Sequence, residues 1–189
     1  CIRDRYTPVG TPKVWGNYIY LDTDERKYFT DNEHELLITQ TQHQLASNTD
    51  TEIDLTYFNH PVKSVHLVSG KATGNDWDSE FTFQKSSLYI NGVPLFEDTS
   101  NVYHHTVVPE MHSTDLPDDI LEDLPTFTWP FCLNLSKMQP TGTLNFSRID
   151  NAKLALVGPT GGNALHRIYA VNYNVLRIKN GMAGVAFGN

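Results

Sequence analysis

Apolar and polar residues alternate with a period of two over most of the chain, which is the pattern of β-strands. Ile53, Leu55 and Tyr57 alternate with polar neighbours in this way. The clearest segment is "FTWPFCLNL", whose alternation puts five apolar side chains on one side: Phe127, Trp129, Phe131, Leu133 and Leu135. Pro130 lies in the same run and has no amide hydrogen to donate, so we expect this strand at a sheet edge or with a bulge.

Further strands are predicted around Val65 and Leu67 and over residues 14–21, 35–45, 80–83, 88–90, 143–149, 153–157, 168–178 and 182–187. Asn91-Gly92 predicts a tight hairpin turn, because both residues tolerate positive φ. Helix is scarce. A short helix is predicted over "DTDERKYF" with Asp22 or Thr23 as its N-cap, and another over "LPDDILEDL", residues 116–124. Many short strands at regular spacing predict an all-β fold, a jelly-roll β-sandwich.

Size and composition fit this prediction. The 189 residues, 39% of them hydrophobic, suit one compact domain with a short piece of another. Cys1 and Cys132 are far apart and are expected to be two free thiols, with a disulfide as the alternative. Because the first residue is not Met, we expect a fragment or a processed product. No run approaches the roughly 20 apolar residues of a membrane span, so none is predicted.

The net charge of −8 argues against direct binding to nucleic acid. No Lys or Arg occurs from Ser86 to Ser136, where the acidic residues are Glu97, Asp98, Glu110, Asp115, Asp118, Asp119, Glu122 and Asp123. From there to the end the charged residues are mostly basic: Lys137, Arg148, Lys153, Arg167, Arg177 and Lys179, with Asp150 alone against them. Two patches that meet within or between subunits are one hypothesis, and a solvated acidic loop beside a basic sheet is the other.

Residues 102–112, "VYHHTVVPEMH", gather possible metal ligands. His104 and His105 are adjacent and would point to opposite faces of a strand, unlike the HxH pair of a metal-binding jelly roll. A loop could still gather His104, Glu110 and His112 around an ion. The alternative, which we favour, is a polar loop whose histidines are solvated or hydrogen-bonded, with no metal.

Other motifs carry little chemistry. "HELLI" at 34–38 lacks the second His of the zinc-protease pattern HExxH and reads as strand. Trp77 on a polar loop could stack on a sugar or pack against its own loop. The sequons at Asn134 and Asn145 are attributed to chance. The sequence therefore predicts no catalytic, cofactor-binding or metal-binding residue, and no enzyme.

Four blocks, in order along the chain, resemble the major capsid proteins of large nucleocytoplasmic DNA viruses, nearest the algal-virus and iridovirus types. They are "YIYLDTDERKYF" (18–29), "LTYFNHPVKSVHLV" (55–68), "QPTGTLNFSRIDNAKLAL" (139–156) and "IYAVNYNVLRIKNGMAGVAF" (168–187). Residues 101–126 match no part of the family pattern and fall where these proteins carry variable loops.

The resemblance implies a structural subunit of an icosahedral capsid, a double jelly roll that assembles as pseudo-hexameric homotrimers. Residues 1–21 would be the closing strand of the preceding jelly roll, 22–32 a short helical connector and 33–189 the carboxyl-terminal jelly roll. The implied partners are its own copies, lattice neighbours and minor capsid proteins, in a virion assembled in the host cytoplasm. A carbohydrate- or receptor-binding jelly-roll module is the alternative.

Overall fold

Two antiparallel sheets face each other in the computed structural model, which describes residues 13–47, 50–71, 81–113, 126–160 and 164–188. The first sheet has the order β1-β9-β3-β6, formed by β1 (His34–Ser47), β9 (Ala164–Lys179), β3 (Pro61–Lys71) and β6 (Thr126–Pro130). Its margins hold two short strands, β7 (Leu144–Asn145) on β3 and β10 (Met182–Val185) on β9. The second sheet has the order β2-β8-β4-β5, formed by β2 (Glu52–Asp54), β8 (Ala152–Val157), β4 (Lys85–Ile90) and β5 (Val93–Ser100).

The connectivity of the eight main strands is that of a jelly roll. The chain passes from one sheet to the other after every main strand except β4, whose hairpin partner β5 is its neighbour in the second sheet. The hairpin turns at Asn91 and Gly92, with φ of 49° and 80°, as the sequence predicts. Two four-stranded sheets wound in this way confirm the predicted fold class.

The apolar core lies between the two sheets. On β8 the residues Ala152, Leu154 and Leu156 are buried and their neighbours are more exposed. The apolar residues of the alternating pattern on this strand are therefore the ones that face the core. A group of aromatic rings fills the centre of the same core, contributed by Phe81, Phe83, Phe127 and Trp129. Burial of these side chains is the main stabilising contribution to the sandwich.

The helices that the structure describes are short. Helix α1 (Thr23–Asp31) begins with the predicted N-cap Asp22, and Glu25 completes a capping box by bonding back to the Asp22 amide. A π-helical turn (Tyr103–Val107) runs into helix α2 (Val108–His112); we call the two together the 103–112 helix. A single 3-10 turn (Phe146–Arg148) follows β7. Among the described residues, none of these helices has the length and apolar character needed to cross a bilayer.

Several strand predictions are wrong in detail. Residues 14–21 pair with no strand among the described residues, whereas their predicted place in the sheet of a preceding jelly roll stays a prediction. The "FTWPFCLNL" strand ends at Pro130, so Leu133 is 77% exposed and not in the core. Only Leu144–Asn145 of the predicted strand 143–149 is extended, and the 3-10 turn replaces the rest. Strand β5 was not predicted, since its apolar residues are mostly exposed. The predicted helix at 116–124 lies outside the described residues.

Candidate functional site

The 103–112 helix lies along the edge of the first sheet, against strand β6. Pro130 ends β6, and β6 pairs with β3 on one side only, so the prediction of an edge strand is confirmed. The loop predicted for residues 102–112 is instead helical, and Pro109 stands in the first turn of α2, where its missing amide hydrogen is tolerated. An open strand edge exposes unpaired carbonyls, and here a helix covers them.

Three histidines of this helix bond the free carbonyls at the edge. The Nδ1 of His105 lies 3.0 Å from the carbonyl oxygen of Thr126, and the Nδ1 of His104 lies 3.0 Å from that of Thr128. The Nδ1 of His112 lies 2.9 Å from the carbonyl oxygen of Cys132, just beyond the strand. A carbonyl only accepts, so each Nδ1 carries the hydrogen and donates. The histidines thus take the place of a neighbouring strand.

His104 is enclosed between the two sheets and is 0% exposed. Its ring centre lies 4.6 Å from that of Trp129 on β6 and 5.7 Å from that of Phe96 on β5. Its Nε2 is buried and has no hydrogen-bond partner among the described residues. Burial in this apolar setting lowers the pKa of His104 to about 4, although the bond to Thr128 acts in the opposite direction. The ring is therefore neutral at pH 7.

His66 approaches the same residue, Thr128, from the outer face of the sheet. Its Nδ1 lies 3.0 Å from the Thr128 hydroxyl and its Nε2 2.8 Å from the Ser64 hydroxyl. Burial, followed by the positive charge of Lys63, lowers the pKa of His66 to about 4. Thr128 is therefore held twice, by His104 at its carbonyl and by His66 at its hydroxyl.

Lys63 ties the outer face of β3 to the segment that follows β6. The side chain is only 7% exposed, and its Nζ donates to the carbonyl oxygen of Leu135 at 2.7 Å. The ammonium also lies 5.7 Å from the ring centre of Tyr173 on β9. Sequence reasoning missed Lys63 and His66, since alternation places polar residues of β3 on a solvent face.

These contacts give each histidine of residues 102–112 a separate backbone partner. Glu110 is exposed, while His104 and His112 each bond a different backbone carbonyl. Over the part of the chain that the structure describes, no three His, Cys, Asp or Glu side chains are placed to share an ion. "HELLI" lies on strand β1, as predicted, and the ring of His34 packs 5.1 Å from that of Phe29. Trp77 lies outside the described residues.

The basic carboxyl-terminal strands pair with nearby glutamates. Arg177 bonds Glu35, with its Nη2 2.6 Å from the carboxylate, and also lies 3.1 Å from Glu33. The Lys179 ammonium contacts Glu33, and Lys153 contacts Glu52 across strands β8 and β2. Where the structure describes them, these cations meet glutamates of residues 33–52 and not the acidic residues 97–123. Residues 114–125 of that segment lie outside the described ranges.

One end of the first sheet carries an exposed apolar surface. The register places Leu36 of β1 opposite Leu176 of β9, and Leu176 opposite Val185 of β10, so the three share one face. Leu36 is 53% exposed and Val185 is 46% exposed. We call this row the ribbon surface.

The amino-terminal segment is also exposed. Helix α1 buries no residue, and the segment before it exposes large side chains, with Val14 at 99%, Trp15 at 88% and Tyr20 at 94%. We expect these exposed apolar side chains to contact another surface.

Comparisons with known proteins show which family this chain belongs to. The sequence model described as large eukaryotic DNA virus major capsid protein matches residues 25–184. The major capsid protein of Pyramimonas orientalis virus is 36% identical over 195 residues, which cover 93% of this chain and 48% of that protein. The major capsid protein of Paramecium bursaria Chlorella virus 1 is 30% identical over 245 residues, with 95% of this chain and 54% of that protein covered. The chain thus spans about half the length of these relatives.

Solved structures agree with the sequence relatives. A quasi-atomic model of the PBCV-1 virus capsid superposes with a TM-score of 0.69 at 28% identity, covering 91% of this chain and 56% of that one. The Faustovirus major capsid protein superposes with a TM-score of 0.62 at 12% identity and 82% coverage of this chain, which supports the fold alone. With a family match over residues 25–184, this jelly-roll chain belongs to the major capsid proteins of large eukaryotic DNA viruses.

Proposed function

We propose that this chain is the carboxyl-terminal part of a structural subunit of an icosahedral viral capsid. The observation that carries the proposal is a complete eight-strand jelly roll that accounts for about half the length of related capsid proteins. A second jelly roll in the remaining half would make the whole protein a double jelly roll. Three copies would then form a pseudo-hexameric trimer, the unit that tiles the shell.

The domain limits follow from the same proposal. Residues 1–21 would close the sheet of the preceding jelly roll, residues 22–32 would connect the two units, and residues 33–189 would form the second jelly roll. The side chains of Val14, Trp15 and Tyr20 support this division, because the described part of the chain leaves them exposed. Helix α1 fits a connector, since it buries none of its residues.

The ribbon surface is the part of this chain that we assign to contact with the other jelly roll or with a neighbouring copy. Leu36, Leu176 and Val185 form a row that a facing apolar surface can cover. We assign no catalytic role to the chain. The two histidines whose pKa is lowered to about 4, His66 and His104, bond strand β6 at the sheet edge. The further partners in the proposal are minor capsid proteins, and the location is the virion, with assembly in the host cytoplasm.

The test is the assembly state of the full-length protein, measured by light scattering after size-exclusion chromatography. We expect a stable trimer, and we expect that the double variant Leu36→Asp, Val185→Asp shifts it toward monomer, because two charges enter an apolar contact. Val93→Asp is the matched control, since Val93 is 66% exposed on the second sheet.

A stable monomer for the unchanged protein would contradict the capsid proposal and favour the carbohydrate- or receptor-binding module. A trimer that the double variant leaves intact would exclude the ribbon surface from the contact between copies. Circular dichroism of both variants checks that each retains the fold, so that a loss of assembly is not a loss of structure.

A further inference from the structure

Thr128 is the point at which three elements of the sheet edge meet. It lies in the middle of the outer strand β6, and its side chain is 3% exposed. His104 from the 103–112 helix donates to its carbonyl, and His66 from β3 bonds its hydroxyl. The two imidazoles come from opposite faces of the sheet, so the position of β6 and of the helix that covers it depends on both.

Each of these contacts suits a neutral imidazole. His104 uses its only ring hydrogen at Nδ1, and its Nε2 lies in an apolar enclosure with no partner. A proton at Nε2 would create a buried charge and a buried donor without an acceptor. His66 bonds two hydroxyls through its two nitrogens. In the neutral ring one nitrogen accepts, whereas in the cation both must donate and one hydroxyl must reorient.

The charged groups near the two imidazoles do not stabilise their cations. His66 faces the buried ammonium of Lys63, a like charge on the same strand, and Tyr169 of β9 stands opposite it in the register. Around His104 stand the rings of Phe96, Tyr103 and Trp129. On the two elements packed beside it, the carboxylates of Glu97, Asp98 and Glu110 belong to exposed residues, and that of Asp98 contacts Lys85.

We propose that His66 and His104 form an acid-sensitive latch on the sheet edge: when both are protonated, Thr128 is released and the 103–112 helix separates from β6. The neutral pair keeps the edge closed near pH 7, and the charged pair opens it in acid. The latch is a device of the jelly roll itself, so it stands or falls independently of the assembly proposed above.

The sign and size of the effect follow from proton linkage. Because folding lowers the pKa of both histidines from 6.5 to about 4, the closed state binds fewer protons than the open one. Its stability is fully present above pH 6.5 and is lost as the pH falls toward 4. At pH 5 each histidine favours the open state by a factor of about 30, from (1 + 10^1.5)/(1 + 10^−1) with these two pKa values.

Hydrogen–deuterium exchange on the full-length protein at pH 7 and pH 5, corrected for the intrinsic chemical rate, measures the opening directly. We expect the opening constant of the β6 amides to rise on the order of several hundred-fold at pH 5, because the factors of the two histidines multiply, with a smaller change in β8. In the double variant His66→Asn, His104→Asn the acid response should fall to about 3-fold or less, because Asn keeps a donor near the Nδ1 position but does not titrate. His43→Asn, at an exposed position of β1, is the control and should respond like the wild type.

Equal acid responses of β6 and β8 in the wild type would overturn the latch, and so would an undiminished response in the double variant. Nuclear magnetic resonance titration of the wild-type histidines keeps the proposal testable if the double variant does not fold. Ring resonances assigned to His66 and His104 that both titrate well below pH 6 support the latch, and titration of these two near pH 6.5 refutes it. The assignment is needed because burial also lowers the pKa of His166.

Discussion

Trp129 is a large side chain in the core and is 0% exposed. Its replacement by alanine therefore tests the packing between the two sheets. Its ring centre lies 6.4 Å from that of Phe83 in the core and 4.6 Å from that of His104 at the edge. The substitution therefore leaves a cavity between the two sheets, at the strand that the 103–112 helix covers.

The magnitude follows from the cost of large-to-alanine changes in cores. Trp129→Ala should lower the free energy of unfolding by about 3–5 kcal/mol, a large part of the 5–15 kcal/mol typical of a domain. Trp129→Phe should lower it by only about 1–2 kcal/mol, since the indole Nε1 has no hydrogen-bond partner to lose and most of the ring volume stays. Both variants lack the indole Nε1, so the difference between them measures the lost packing alone.

Urea unfolding followed by far-ultraviolet circular dichroism measures both variants without relying on tryptophan fluorescence. Leu133→Ala is the matched control, because Leu133 lies in the same apolar run but is 77% exposed, and it should change stability by less than about 0.5 kcal/mol. If Trp129→Ala unfolds within about 1 kcal/mol of the wild type, Trp129 does not occupy the core position described here.

Two further predictions concern the segment that follows β6. Gly142 has a φ of +142°, and a Cβ there would lie 2.7 Å from the carbonyl oxygen of Phe131, so Gly142→Ala should cost about 2 kcal/mol in urea unfolding. A Cβ at Gly184 would have no atom within 4 Å, so Gly184→Ala should change stability by less than about 1 kcal/mol. Equal effects of the two substitutions would show that an added Cβ at Gly142 causes no strain. Cys132 is 5% exposed and burial raises the pKa of its thiol, so in a Cys1→Ser background at pH 8 a thiol reagent should label it in urea but not in the native protein. Rapid labelling of the native protein would show that Cys132 is accessible.

The sequence by itself determined the class of fold and much of the strand pattern. Strand β8 was predicted almost to its bounds, because the inner face of a strand facing a core must be apolar at every second residue. The Asn91-Gly92 turn and the Asp22 cap were also predicted, since both depend on the backbone preferences of adjacent residues. The spacing of the strands along the chain and the resemblance to a capsid family then predicted a jelly roll.

Only the tertiary structure decided the roles of the histidines. The "VYHHTVVPEMH" segment has no local signal for a helix on a strand edge, because its donors bond carbonyls of residues that lie about 20 positions further along the chain. His66 has the alternation of a solvent-facing residue, yet it is partly buried and bonds the hydroxyls of Ser64 and of Thr128, which lies 62 positions further along the chain. Local patterns record which face of a strand is apolar, whereas the covering of its edge and outer face depends on contacts between distant parts of the chain.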